Sequence, residues 1–453
     1  GVLAVESRKS EASTLDLSPS LNSGWLERIF KLRLHGTTVK TELIAGLTTF
    51  ITMAYIIFVN PNIMADAGID HGAAFVATCI AAALGCLLMG LYANWPVGLA
   101  PGMGLNAFFT YTVVGTMGYH WETALGAVFI SGVLFMILTL SRVREWLLNS
   151  IPVSLRFAMG AGVGLFLGLI GLKTANIIVD SPATLIKLGN LRDPGPLLAA
   201  VCFLMIAVLS YHRVFGAILI SIIAVTLAGW GLDLVHYNGI MSTPPSLAPT
   251  WMAMDIAGVF NVSMISVVLA FLFVHMFDTA GTLMGVAQRA GLVNADGKIE
   301  NLSRALKADS ASSVFGAVVG VPPVTSYVES AAGVAAGGRT GLTAVTVGVL
   351  FIAAMFFAPL AGMIPAYATA GALIYVAMLM MGGMAHINWD EATDSIPAIV
   401  TAIMMPLTFS VADGIALGFI TYVVLKAGTG KYKEISISLY VLCAIFIAKF
   451  IFL

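Results

Sequence analysis

Charge is what this chain has least of. Asp, Glu, Lys and Arg make up 10% of its 453 residues, against about 25% in an ordinary soluble domain. That scarcity excludes a soluble globule, which could not clothe its surface with so few ionic groups. The net charge of −1 leaves no basic excess for nucleic acid or another polyanion. Cysteine is sparse too: Cys79, Cys86, Cys202 and Cys443 lie inside apolar runs without metal-ligand spacing, so they read as small buried hydrophobes. The first forty residues lack the hydrophobic core of a signal peptide. They are polar and then basic (Arg28, Lys31, Arg33, Lys40), and 1–40 is expected to be a cytoplasmic N-terminal segment.

What remains is hydrocarbon, 59% of the chain. Runs such as "FVATCIAAALGCLLMGLYA" and "LTAVTVGVLFIAAMFFAPLAGMI" reach the roughly 20 residues that cross a bilayer. Hydropathy predicts spans near 43–59, 72–93, 97–119, 122–141, 151–171, 196–211 and 213–235. A second series follows near 262–287, 305–320, 321–337, 340–360, 365–384, 396–410 and 411–427. A last apolar run, "ISISLYVLCAIFIAKFIFL", is either a further span or the true last one. The reading is therefore an all-α, multi-pass membrane protein of about fourteen segments. Basic residues cluster after even-numbered spans: Arg142 and Arg144, Arg213, Arg289 with Arg304 and Lys307, Arg339, and Lys426 with Lys431. The positive-inside rule puts those loops in the cytoplasm with the N-terminus. Lys173, Lys187 and Arg192 fit that pattern poorly.

The two series resemble each other. "VGLAPGMGLNAFF" (97–109) and "VGVPPVTSYVESA" (319–331) both begin Val-Gly, reach proline soon after, and then present a polar side chain. Seven spans per half is odd, so the second copy is inverted relative to the first, and inverted repeats place ligand sites near the midplane where broken helices meet. Proline lacks the amide hydrogen and favours extended backbone before it, so segments 3 and 10 are expected to be short strand and half-helix breaks. Ser326 or Thr325 is the expected cap of the second half-helix. Such irregular backbone is tolerated in a membrane only where protein or a wet cavity satisfies it.

Acids sharpen the picture. Glu42, Asp66, Asp70, Glu122, Asp233, Asp296 and Asp390 fall at span ends and are expected to be solvated or interfacial. Asp278, in "FLFVHMFDTAGTLMG", and Glu329 lie well inside apolar stretches, and Asp413 falls at a break between two short runs. A carboxylate at the bilayer centre costs about 2.5–3.5 kcal/mol, which makes it a functional residue by default. Half-helix amide ends alone favour an anion; two carboxylates beside them disfavour one. The combination suits a neutral planar solute with N–H donors, or a cation. Removal from water disfavours the charged form of a carboxyl, which makes Glu329 and Asp278 candidates for proton coupling. His275, three residues before Asp278, reads as a network partner in the core. Thr282, one turn beyond, is placed to reach the same cavity. Asn106 occupies the equivalent place in the first repeat, where its amide can donate and accept, and Phe108 behind it could stack on a flat ring.

"KTELIAGLTTFITMAYIIFVNPNIMADAG" (40–68), "APGMGLNAFFTYTVVGTMG" (100–118), "FDTAGTLMGVAQRAGLVNADGKIENLSRALKADS" (277–310) and "PPVTSYVESAAGVAAGGRTGLTAV" (322–345) resemble the nucleobase–cation symporter-2 (nucleobase/ascorbate transporter) family. They are most similar to its AzgA-like hypoxanthine/guanine/adenine permease branch. The resemblance implies fourteen segments in two inverted repeats. It implies a core domain (41–141 and 262–360) that moves as an elevator past a gate domain (142–236 and 361–453), with a homodimer formed through the gate. It implies a transporter and no enzyme, importing a purine nucleobase with H⁺ across the cell membrane and using no other cofactor. Asp278 and Glu329 would bond the base, with Asn106, Phe108 and the amides of Tyr327 and Val328 completing the site. Uracil-transporting relatives carry glutamate on segment 8 with histidine a turn later; Asp278 and Thr282 depart from that and fit the purine branch. Two alternatives were weighed. An anion (sulfate-type) permease of the same fold is disfavoured by the paired acids, and an intramembrane His275/Asp278 enzyme lacks a second ligand cluster or nucleophile.

Overall fold

The computed structural model describes residues 24–141, 151–214, 216–294, 299–327 and 329–452. Arg142, Arg144, Asp296 and Val328 lie outside the described residues. Nine helical stretches among the described residues are long and apolar enough to cross a membrane, and three shorter apolar helices accompany them.

The first repeat contains α1 (Val39–Met53) and α2 (Ile56–Asp66) as segment 1, then α3 (His71–Leu88) continuing to Ala93. Segment 3 is β1 (Leu99–Pro101) with α4 (Met103–Ala107), extended in wider turns to Thr116; α5 (Trp121–Leu140), α6 (Val153–Thr174), α7 (Pro194–Tyr211) and α8 (Ala217–Gly231) follow. A hairpin, β2 (Ile178–Ser181) and β3 (Leu185–Leu188), joins α6 to α7. The second repeat runs α9 (Val262–Arg289), α10 (Leu302–Val319), β4 (Val324–Ser326) with α11 (Ser330–Ala335), α12 (Gly341–Ala354), α13 (Ala366–Met380), α14 (Ala392–Leu407) and α15 (Val411–Gly428). Helix α16 (Ile437–Phe452) is an additional apolar helix after the fourteenth segment. It packs on α15 through Phe446 against Phe419, and Lys449 reaches Asp413 at 2.8 Å. The expected breaks in segments 3 and 10 are present, as two short strands followed by short helices.

The packing obeys the internal repeat. Segment 5 (α6) packs on α13 and α14, and its counterpart α13 packs on α6 and α7. The α3–α12 contact has its image in α10–α5, and α1–α12 in α9–α5. β1 pairs with β4 in antiparallel register, Leu99 opposite Ser326, Ala100 opposite Thr325 and Pro101 opposite Val324. Equivalent segments thus run in opposite senses, as an inverted repeat requires. The pairing also satisfies extended backbone that lipid could not.

Two polar faces bound the helices. On one, His35 bonds Glu300, Asn94 Nδ2 donates to the Phe30 carbonyl at 2.9 Å, and Arg304 reaches the Tyr92 carbonyl. On the other, the Asp255 amide donates to the Glu122 carbonyl at 2.9 Å and the Ser242 amide to that of Phe356 at 2.9 Å. The N-terminal segment and the α9–α10 connection therefore share one face, and the 236–261 loop covers the opposite one. Helix starts carry the side-chain caps that unsatisfied amides require: Thr38 for α1, Asp70 for α3, Asn261 for α9 and Ser410 for α15.

One acid departs from expectation. Glu42 is fully buried rather than interfacial. Its carboxylate accepts the Arg339 amide at 2.8 Å and the Thr340 amide at 3.4 Å, together with the Thr343 hydroxyl. It ties the start of segment 1 to the start of segment 11, and hydrogen bonds replace the water it gave up.

Candidate functional site

β1 and β4 meet in the middle of the bundle, and the chain leaves each strand into a short helix. Beside this crossing lies a cavity of about 630 Å³, within the size range of small-molecule sites. The β1–β4 crossing contributes Gly102–Leu105 together with Thr325, Ser326, Tyr327 and Glu329. Helix α9 contributes Asp278 and Thr282, and the joint between α1 and α2 contributes Tyr55. The opposite wall comes from α6 and α13: Met159, Gly160, Val163, Val376, Leu379 and Met380. The carboxylates and hydroxyls come from the crossing, α9 and the α1–α2 joint, whereas the α6 and α13 wall is apolar apart from Arg156 at the start of α6.

Asp278 is exposed to this space although α9 is otherwise buried around it. Glu329 is half-buried, and its Oε1 accepts the Tyr55 hydroxyl at 2.6 Å. Thr282 borders the cavity one turn from Asp278, as the helical spacing predicts. The two acids and Thr282 are thus brought together. Tyr327 is present as well, but its amide is donated to the Gly98 carbonyl at 2.9 Å and its hydroxyl to the Pro101 carbonyl. That amide extends the strand pairing instead of pointing free into the cavity.

Asn106 and Phe108 do not border the cavity. Asn106 is fully buried and donates to Asn60, which in turn donates to Thr78 at 2.6 Å. Phe108 packs edge-on against Phe271, with ring centroids 5.2 Å apart. Gly102–Leu105, just before them in the chain, border the cavity instead. The expected caps differ too. α11 starts at Glu329 without a side-chain cap, because the Ser326 hydroxyl goes to Asp309 and the Thr325 hydroxyl to Thr279.

Asp309 on α10 is the acid that hydropathy reading missed. It is fully buried, with Oδ1 2.5 Å from His275 Nε2. Its Oδ2 accepts from the Thr279 hydroxyl at 3.1 Å, the Ser326 amide at 3.1 Å and the Ser326 hydroxyl at 2.6 Å. Four donors leave it no capacity for a ligand; its work is to hold β4 on α9 and α10. His275 is the network partner expected of it. The segment of Asp309, "LSRALKADSASSVFGAVV", has low hydropathy, and the run of small hydroxyl residues behind the acid was the available signal.

The cavity opens toward the face that carries the N-terminal segment, where Arg289 is exposed at the end of α9 and Arg156 stands at the start of α6. Phe409, in the α14–α15 connection, does not border the cavity and ties that connection to segment 3 and α6. The Phe409 carbonyl accepts the Thr112 hydroxyl at 2.6 Å, its ring meets Phe166 edge-on at 5.4 Å, and Lys173 lies 5.1 Å above it. Among the described residues no group of three or more His, Cys, Asp or Glu side chains could hold a metal ion.

Comparison with known proteins agrees with this geometry. A model described as the Permease family (Xan_ur_permease) matches residues 40–417. Adenine permease AdeP of Escherichia coli K12 is 51% identical over 430 residues, covering 95% of this chain and 97% of that protein. Guanine/hypoxanthine permease PbuG of Bacillus subtilis 168 is 45% identical over 442 residues, covering 94% and 100%. Among solved structures, the transmembrane domain of a cyanobacterium bicarbonate transporter, BicA, matches with a TM-score of 0.61 at 14% identity, over 84% of this chain and 97% of that one. The anion transporter SLC26A9 matches at 0.63 and 12%, over 94% and 70%. At these identities the structures share the fold alone. A family model spanning most of the chain, and relatives near half identity along their whole length, make this protein a multi-pass membrane permease and no enzyme: it belongs to the nucleobase–cation symporter-2 (nucleobase/ascorbate transporter) family.

Proposed function

We propose that this permease is a symporter that imports purine nucleobases together with protons across the cytoplasmic membrane, with its N-terminus in the cytoplasm. The observation that carries the reading is the division of the cavity. The carboxylates and the hydroxyl able to hold a heterocycle (Asp278, Glu329, Thr282) come from segments 8 and 10, whereas α6 and α13 offer a wall that is apolar except for Arg156 at its edge. A ligand bonded in this way travels with 41–141 and 262–360 while 142–236 and 361–453 stand still as the gate, which is an elevator; the gate is also the proposed homodimer contact. Two carboxylates accept from ring and exocyclic N–H groups and repel an anion, which selects a neutral base over the anions of the structural neighbours. The names of the adenine and guanine/hypoxanthine relatives support a purine. A cavity that reaches Arg156 and Arg289 on the basic face fits an inward-open state.

The test is uptake of radiolabelled hypoxanthine in cells lacking their own permeases, competed by adenine, guanine, xanthine and uracil at acid and alkaline external pH. Competition by adenine or guanine, faster uptake in acid and indifference to uracil are the expected result. Inhibition by sulfate or bicarbonate alone would overturn it. Glu329→Gln keeps an acceptor and loses the titratable proton, so its uptake is expected to lose its dependence on a proton gradient more than its affinity. Binding to purified protein, measured beside uptake with and without the gradient, separates the two effects.

The elevator reading has its own check. A Cβ on Gly104 would stand 2.1 Å from Val163 Cγ1, at the contact between α4 and α6. Gly104→Ala therefore wedges the two helix sets apart, and the maximal uptake rate is expected to fall severalfold. Val163→Ala in the same chain removes the collision and is expected to restore most of it. An unaltered rate in Gly104→Ala would mean that this contact does not change during transport.

A further inference from the structure

We propose that Tyr55 is a positioning residue of the cavity, holding Glu329 Oε1 so that a planar ligand with N–H groups meets this carboxylate through its other oxygen, in one orientation. The inference rests on the reading of the cavity as a nucleobase site. Tyr55 is 1% exposed and reaches across 274 positions of sequence to its acid. Among the described residues it is the one side chain that donates to Glu329. A hydrogen bond to a charged group contributes about 1.5–3 kcal/mol, enough to keep one of two carboxylate oxygens occupied.

Two independent features place the phenol there. The first is the joint in segment 1. Pro61 lies in α2, and its ring clashes with the carbonyl four residues earlier, that of Ile57. The helix is tightened just before that point: the Ile57 amide bonds the Ala54 carbonyl and the Phe58 amide that of Tyr55, both at 3.1 Å and both three residues apart. Short tightened turns inside a long helix often accompany functional sites, and this one presents Tyr55 at the level of the β1–β4 crossing. The second is Gly333 on α11. A Cβ there would stand 1.9 Å from Thr49 Oγ1 and 2.8 Å from the Ala45 carbonyl on α1. Only glycine lets segments 1 and 10 approach closely enough for the 2.6 Å contact.

The arrangement separates the tasks of the three carboxylates around the crossing. Asp309 is saturated and holds β4. Asp278 faces the cavity directly. Glu329 has one oxygen oriented by the phenol and leaves the other for the cavity. The phenol thereby fixes where the second N–H of a ligand must lie relative to the one at Asp278, and that spacing distinguishes one flat heterocycle from another.

The full-length chain in proteoliposomes provides the experiment, with radiolabelled adenine and hypoxanthine as probes and Tyr55→Phe as the variant. Phenylalanine keeps the ring and removes only the donor. The expected result is a KM raised about tenfold, the equivalent of losing one such bond, with a maximal rate within about twofold of the parent. The preference between the two bases should also narrow. An unchanged KM and unchanged preference would overturn the assignment, and so would a fall in maximal rate alone. If Tyr55→Phe fails to accumulate in the membrane, Gly333→Ala carries the test. It pushes α11 off α1 without altering the phenol or the acid, and is expected to raise KM in the same way; an unchanged KM there overturns the proposal. Absence of uptake of either base by the parent chain would instead strike the nucleobase reading itself.

Discussion

Glu329→Ala and Asp278→Asn are each expected to abolish purine uptake while the protein still inserts in the membrane. Each removes or halves a carboxylate that faces the cavity, and a hydrogen bond to a charged group is worth about 1.5–3 kcal/mol, or roughly 10- to 150-fold in affinity. Glu329→Ala also strands the Tyr55 hydroxyl in a buried place, which adds the cost of an unsatisfied polar group. Neither acid supports the fold as Asp309 does: Asp278 is exposed to the cavity and Glu329 is half-buried. Membrane abundance should therefore stay near that of the parent. Uptake counted per molecule in the membrane checks this, and normal uptake by both variants would remove these acids from the site.

The second large effect concerns stability. Asp309→Ala leaves His275, the Thr279 hydroxyl and both Ser326 donors without their acceptor in a region sealed from water. Breaking a buried pair by removing one partner costs about 3–5 kcal/mol, a large share of the about 5–15 kcal/mol that holds an ordinary domain together. Thermal unfolding of detergent-purified protein should shift down sharply, with lower abundance in the membrane. Asp309→Asn keeps an oxygen for the Ser326 amide and should lose less. The double variant His275→Ala/Asp309→Ala should lose less than the sum of the singles, since the two side chains share one interaction. A variant Asp309→Ala as heat-resistant as the parent would show that β4 is held by the strand pairing alone.

The two effects diverge because the acids differ in what surrounds them, and hydropathy cannot see surroundings. Asp278 and Glu329 stood out because each interrupts a long apolar run. Asp309 did not, because its own span is rich in serine and alanine and low in hydropathy, so the acid interrupts no long apolar run. Glu42 was misjudged for a related reason: it lies next to Lys40 and Thr41 at a span end, yet α12 closes over it. Tyr55 carries no charge and sits among isoleucines and a phenylalanine, so its hydroxyl gave no sign of a role. Asn106 and Phe108 were sought in the cavity because the repeats align there. Gly102–Leu105 border the cavity instead, while Asn106 and Phe108 are buried against Asn60 and Phe271.

The sequence by itself determined the succession of about fourteen membrane segments, their inversion, the two proline-marked breaks and the pair of midplane acids. Each of these follows from local physics: about twenty apolar residues span a bilayer, proline interrupts a helix, and an ionisable group in hydrocarbon needs a reason. The tertiary structure alone decided which polar groups face the cavity and which are consumed in holding it. Asp309 with His275, and Glu329 with Tyr55, meet across 34 and 274 positions of chain. A hydrogen bond depends on atoms within about 3 Å, and only the packing of one repeat against the other brings those atoms together.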